Sequence, residues 1–166
     1  MKIIQTHEME TVNLSGLPLV GFNIDAKYGD YSIDFSTPNP TGCGDANISL
    51  GSGDLYASGL LNSRFDLVKV RTVSGRIRLA FDGVSLERDM TVRLETESGG
   101  VWLEIPEHIP AQIVYRTYRG TVIKAESPFN PIDSTTYEIG GYHVSDSPRL
   151  TIEVDTVMGD LRLTST

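Results

Sequence analysis

The sequence is short of nearly everything that marks a catalytic or metal centre. It holds one cysteine and three histidines in 166 residues. A lone cysteine excludes an intramolecular disulfide framework. Cys43 sits in Thr41-Gly-Cys-Gly-Asp45, and the three histidines that could activate it are scattered along the chain, so it reads as an inert loop thiol. His7, His108 and His143 are scattered and lack the ligand spacing of a zinc site. Positive charge is scarce as well. Lys and Arg total 14 against 22 for Asp and Glu, a net of −8, which repels a phosphate backbone and argues against a nucleic-acid partner. No apolar run approaches the roughly 20 residues of a membrane span, and Met1 to Gly16 has no signal-peptide core. The expected compartment is therefore conditional: the cytoplasm if this is the full chain, the cell envelope if it is excised from a longer protein. Apolar residues at helical spacing are missing too, and no glycine loop precedes a helix to cradle a phosphate. No cofactor is expected.

What the chain does have is a repeat. Six glycines, Gly29, Gly53, Gly75, Gly99, Gly120 and Gly159, are each flanked by alternating apolar positions, seven and five before and two and four after. The sets are Phe22/Ile24/Tyr31/Ile33, Ala46/Ile48/Leu55/Ala57, Val68/Val70/Ile77/Leu79, Val92/Leu94/Val101/Leu103, Ile113/Tyr115/Val122/Lys124 and Ile152/Val154/Leu161/Leu163. Only Lys124 breaks the rule. Thr72, Thr96, Thr117 and Thr156 stand three before their glycines.

Period-two alternation on both sides of a tight turn makes two short strands per unit, one face core and one face solvent. Such units cannot bury a hydrophobic face alone and must stack on one another. The expected fold is all-β: a single-domain β-solenoid over residues 1–166 with about six repeats, stacked in chain order. Residues 1–20 form an N-terminal cap and 22–124 repeats one to five. Residues 125–149 are an insertion, and 150–166 the last repeat. Within the insertion, Thr136–Ile139 and Tyr142–Val144 flank Gly140-Gly141 and predict a hairpin on a two-residue turn. Ile77, Leu79, Val101 and Leu103 are expected in the core, with Arg76, Arg78 and Glu104 outside.

Stacking turns equivalent positions into columns spaced at about 4.8 Å. One after the glycine, Asp30 and Asp54 become neighbours, the spacing of a carboxylate pair in a glycoside hydrolase or a calcium site. Aspartate after glycine is also ordinary turn chemistry, and Arg76 follows in the column to neutralise charge. Four before the glycine, Arg71, Glu95 and Arg116 alternate in sign and predict an ion-pair ladder that sets register. Three after it, the outward column runs Ser32, Tyr56, Arg78, Trp102, Ile123 and Arg162. Tyr56, Arg78, Trp102 and Ile123 are the candidate interaction surface. Against that stands a structural reading in which the 125–149 insertion folds over Trp102 as a lid, or Arg78 stacks on the indole.

The segments VRLETESGGVWLEIP (Val92 to Pro106) and LTIEVDTVMGDLRL (Leu150 to Leu163) carry the repeat most fully. They resemble the bacterial toast-rack and putative-adhesin families, which include the C-terminal domain of LiaF-type cell-envelope stress proteins and the related head-GIN domains. The resemblance covers about Phe22 to Leu163. It implies a β-solenoid and brings no catalytic residues. The membrane spans that precede this domain in LiaF-type proteins have no counterpart here. The expected role is a non-catalytic interaction or scaffold module of a bacterial cell-envelope or stress-response system. Its expected partner is a protein or a second copy of itself, with carbohydrate as a further candidate. The alternatives are a polysaccharide-active β-helix enzyme using Asp30 and Asp54, and a surface adhesin.

Overall fold

A computed structural model describes residues 2–5, 10–42, 44–124, 128–144 and 146–166. The alternating segments form strands, and chain order takes them back and forth between two sheets. They are β1 Lys2–Gln5, β2 Glu10–Asn13, β3 Gly21–Tyr28, β4 Tyr31–Asp34, β5 Asp45–Ser52, β6 Leu55–Ser58, β7 Leu67–Ser74 and β8 Ile77–Ala80. There follow β9 Met90–Ser98, β10 Val101–Ile105, β11 Ala111–Arg119, β12 Val122–Lys124, β13 Asn130–Pro131, β14 Thr136–Ile139, β15 Leu150–Met158 and β16 Leu161–Ser165. A single helical turn at Leu60–Ser63 is the one helix among the described residues. The fold is all-β, as the periodicity requires.

The first sheet has nine strands in the order β1-β3-β5-β7-β9-β15-β11-β14-β13, and the second has seven, β12-β16-β10-β8-β6-β4-β2. All pairings are parallel except those of β14 with β11 and β13. A chain normally needs a long crossover to pair strands in parallel; here each tight turn sends it to the opposite sheet, and the connector returns it one strand further on. The turn stacks as regularly as the strands do. Gly53 N–H donates to Ser74 O, Gly75 N–H to Ser98 O and Gly99 N–H to Met158 O, at 3.1, 3.2 and 3.0 Å.

Between the sheets lies the core, and it holds the residues the alternation assigns to it. Ile77, Leu79, Val101 and Leu103 are buried, while Arg76 and Arg78 are exposed and Glu104 half-exposed. The connector side is closed by aromatics outside the repeat positions: Phe35 and Phe65 meet edge-on at 5.9 Å, and both pack on Phe22. Buried amides serve the connector backbones, with Asn39 Nδ2 donating to Leu19 O and Asn62 Nδ2 to Phe35 O.

Two expectations need correction. The strand pairs do not stack in chain order, because β15 enters between β9 and β11, and β16 between β10 and β12. The physical reason is visible in the two units concerned. Ile152, Val154, Leu161 and Leu163 are fully buried, as an interior unit must be. The unit of β11 and β12 instead carries Lys124 at a repeat position and leaves Tyr118 81% exposed, which suits it to an end.

Second, the hairpin of the insertion is displaced. Its arms are β13 and β14, and Asp133 organises the turn between them by accepting the amides of Thr135 and Thr136 at 2.7 and 2.8 Å. Residues 141–144 form a turn, because both glycines take left-handed φ of +68° and +69° and carry the chain away from β14. The expected N-terminal cap at residues 1–20 takes the form of edge strands. They are β1 and β2, which continue the two sheets in register with β3 and β4.

The threonine column is an internal ladder with an uneven finish. Thr72 Oγ1 donates to Thr96 Oγ1 at 3.0 Å, but the buried hydroxyls of Thr156 and Thr117 have no partner among the described residues. A buried hydroxyl without a partner costs stability that an isosteric methyl does not. Thr156→Val should therefore raise stability by about 1 kcal/mol, read as a higher denaturant midpoint at unchanged m-value.

Candidate interaction surface on the second sheet

Outward residues of the second sheet fall on strands β4, β6, β8, β10, β16 and β12 in that spatial order. The register aligns Ser32, Tyr56, Arg78, Trp102, Arg162 and Ile123 across them. Because β16 lies between β10 and β12, Trp102 stands between two arginines and not beside Ile123. The side chain of Ile123 lies outside the described residues; its backbone is one strand beyond Arg162. Of the four expected surface residues, the structure brings Tyr56, Arg78 and Trp102 together. The residue that replaces Ile123 in the cluster is Arg162. Lys124 was the available signal, since a lysine in a core column marks an end unit.

The cluster is a stack of planar groups. The Arg78 guanidinium lies 5.3 Å from the Tyr56 ring centroid and 5.5 Å from that of Trp102, and Arg162 lies 4.4 Å from Trp102. Cation–π contacts of this kind contribute about 0.5–1 kcal/mol at exposed sites. Arg78 is held further by an ion pair with Glu104, its Nε donating at 2.9 Å. No carboxylate lies within ion-pair distance of Arg162 among the described residues. Among the described residues of the insertion, the hairpin strands lie on the other sheet, where β13 and β14 lengthen the first sheet beyond β11. Trp102 is half-buried, with Arg78 and Arg162 over its ring. Trp102→Ala should thus cost about 1–2 kcal/mol, well below the roughly 3–5 kcal/mol of a core tryptophan, with urea unfolding as the measurement.

Beside the stack, at the turn edge, runs the aspartate column. Asp30 Oδ1 accepts the Asp54 amide and Asp54 Oδ1 the Arg76 amide, both at 2.8 Å. Arg76 Nε also donates to Asp54 Oδ2 at 2.9 Å. Each carboxylate therefore holds the backbone of the next unit, and Asp160 does the same for Thr121. Burial by itself raises the Asp54 carboxyl, but the hydrogen bonds and charge of Arg76 outweigh it and hold the group below its ordinary value. Asp34 is likewise raised by burial and lowered further by hydrogen bonds from Ser36, Ser15 and Ser58. A carboxyl lowered by folding contributes stability that is complete above its unfolded value and is lost as pH falls through the folded one. The thermal midpoint should hold steady from neutrality down to about pH 4 and decline below it. Asp54→Asn should flatten that decline.

The expected ladder at Arg71, Glu95 and Arg116 is altered by the same strand insertion. Arg71 Nε approaches Glu95 at 4.0 Å, but Arg116 pairs with Asp155 at 3.0 Å, and Asp155 separates it from Glu95. His143 Nε2 lies 2.7 Å from Glu138 Oε1, beside β14, and His108 is exposed on a connector. Cys43 and His7 lie outside the described residues. Among the described residues no group of three His, Cys, Asp or Glu side chains is placed to hold a metal. No helix among them is long and apolar enough to cross a membrane.

No family model matches the chain. Nor does any curated protein. Among solved structures, the chain is similar to one described as a putative cell adhesion protein from Clostridium sporogenes, with a TM-score of 0.67 and 18% sequence identity. The likeness covers 75% of this chain and 56% of that one, so this chain spans little more than half of its structural neighbour. At this identity the two share a fold, and the all-β, two-sheet architecture is the one common to both.

Proposed function

We propose that the chain is a non-catalytic interaction module, a β-solenoid of the toast-rack and putative-adhesin kind, serving a bacterial cell-envelope or stress-response system. The solenoid reading is supported by the recurrence of one glycine turn, bonded to its neighbour at Gly29, Gly53, Gly75, Gly99 and Gly159, and by parallel register from β1 to β11. The interaction reading rests on one observation above all: Tyr56, Arg78 and Arg162 are exposed together around the half-buried Trp102 on the outer face of the second sheet. Aromatic and arginine side chains are the types that dominate binding surfaces energetically. The adhesion protein with the same fold is consistent with an adhesive use of that face. Against catalysis stands the use of the Asp30 and Asp54 carboxylates as backbone acceptors. The enzyme reading has no observation of its own in its favour.

The test is retention on isolated bacterial envelopes, together with self-association by sedimentation velocity, for the intact chain and for Arg78→Glu and Trp102→Ala. One or other association should occur and fall at least tenfold in both variants, whose circular dichroism stays that of a β-protein. Association equal in all three chains, or none in any, contradicts the reading.

A further inference from the structure

Resting on the reading of this face as the interaction surface, we infer that its ligand is an extended acidic polysaccharide, with uronate sugars lying across the strands along the Ser32-to-Arg162 column. Three features carry this. The first is a free aromatic face. One side of Tyr56 is taken by Arg78, while its neighbour on the other side is Ser32, too small to cover the ring. An open groove lies there, lined by Ser32, Tyr56, Arg78, Trp102, Asp30 and Arg76. A pyranose ring stacks in such a groove through its C–H face.

The second feature is outstanding donors for carboxylate. Arg78 and Arg76 spend Nε and Nη2 on Glu104 and Asp54, leaving Nη1 on each. Arg162 has no acidic partner among the described residues and lies over the Trp102 ring, 4.4 Å from its centroid. A second groove joins it to Arg76 across Gly100, where the turn column has no side chain; a Cβ there would meet nothing closer than Asp160 O at 3.7 Å. Of the nearby acids, Asp30, Asp54 and Asp160 each turn Oδ1 to a backbone amide of the next strand, and Asp54 Oδ2 is taken by Arg76. The unspent guanidinium edges of Arg78 and Arg162 face outward on the column, and a planar carboxylate fits that fork.

The third is spacing. Arg78 and Arg162 are two strands apart in register, as are Tyr56 and Trp102, so like groups recur at about 9.6 Å, twice the strand spacing. A peptide strand presents same-side residues at roughly 6.7 Å and falls out of step with the column. In an extended 1,4-linked glycan each sugar advances the chain by about one strand spacing, so a carboxylate on alternate sugars meets successive arginines. This favours a glycan over an acidic peptide.

The experiment titrates the intact chain with a hexamer of polygalacturonate or alginate, the equivalent 1,4-linked neutral glucan and poly-glutamate of matched charge, at low and high salt. The uronate hexamer should bind, weaken as salt rises, and lose at least tenfold in affinity in both Arg162→Gln and Tyr56→Ala. Both residues are exposed, and an unchanged unfolding midpoint confirms that each variant folds. The inference is overturned if the neutral glucan or poly-glutamate binds as well, if the variants bind uronate normally, or if no glycan binds. In the last case, envelope retention or self-association that still depends on Arg78 and Trp102 leaves the module reading standing and removes only the glycan. Loss of both removes both.

Discussion

Deletion of residues 150–166 leaves a chain that does not complete either sheet. Although these are the last residues in sequence, β15 is bonded on one side to β9 and on the other to β11, and β16 lies between β10 and β12. Their five core residues, Leu150, Ile152, Val154, Leu161 and Leu163, have no exposed surface. At about 1.5–3 kcal/mol for each buried side chain, their loss is of the order of the whole stability of a domain. Beyond β10 the shortened chain has no template, so β11, β12 and the hairpin of β13 and β14 should become protease-sensitive together. Removing residues 1–13 takes only the end strands β1 and β2 and should leave a cooperative unfolding transition. Stacking in chain order gives the opposite ranking, with the two end deletions equally mild. Limited proteolysis and urea unfolding of the two truncations separate these outcomes.

Gly99→Ala should be nearly as damaging as that deletion, and Gly100→Ala close to harmless. A Cβ on Gly99 would sit 1.8 Å from Gly75 O, at a backbone φ of +127° that side chains seldom adopt. The obstacle is backbone, with a neighbouring unit directly beneath it, so no side chain can rotate away. Relief requires the two units to part at the turn, which also strains the Gly75 N–H bond to Ser98 O. The expected cost is about 4 kcal/mol or more. At Gly100 the nearest atom to a Cβ is 3.7 Å away, and the change should stay within about 1 kcal/mol. Thermal unfolding of the adjacent pair tests whether the close stacking of units at their turns, and not glycine content in general, is what the repeat protects.

The strands, their inward and outward faces and the turns were legible in the sequence because each depends on local spacing alone. Alternation around Gly75 and Gly99 placed Ile77, Leu79, Val101 and Leu103 correctly without knowledge of any neighbour. Spatial order was another matter. Which unit lies beside which depends on how the 125–149 segment routes the chain, and nothing local to Ile152 or Leu161 records that. The only trace was Lys124, a charge in a core column that fits an end unit. From this one misplacement followed the errors at the site: Ile123 in place of Arg162 beside Trp102, and Glu95 in place of Asp155 beside Arg116. The hairpin was misjudged for a different reason. Gly140-Gly141 satisfies the rule for a two-residue turn, but an aspartate at 133 that caps two amides organises a competing one. The hairpin strands form no lid over Trp102, since β14 had an open partner in β11 on the other sheet.

Because Trp102 is the only tryptophan of the chain, its fluorescence reports on the proposed surface and on nothing else. The most direct measurement is quenching of that emission by acrylamide as isolated envelopes or uronate hexamer are added. Association through the outer face of the second sheet predicts that the half-buried indole becomes less accessible, in proportion to the fraction bound, and that Arg162→Gln abolishes the change. Binding that saturates by sedimentation while the quenching of Trp102 stays at its free value would place the contact elsewhere on the molecule and contradict the account.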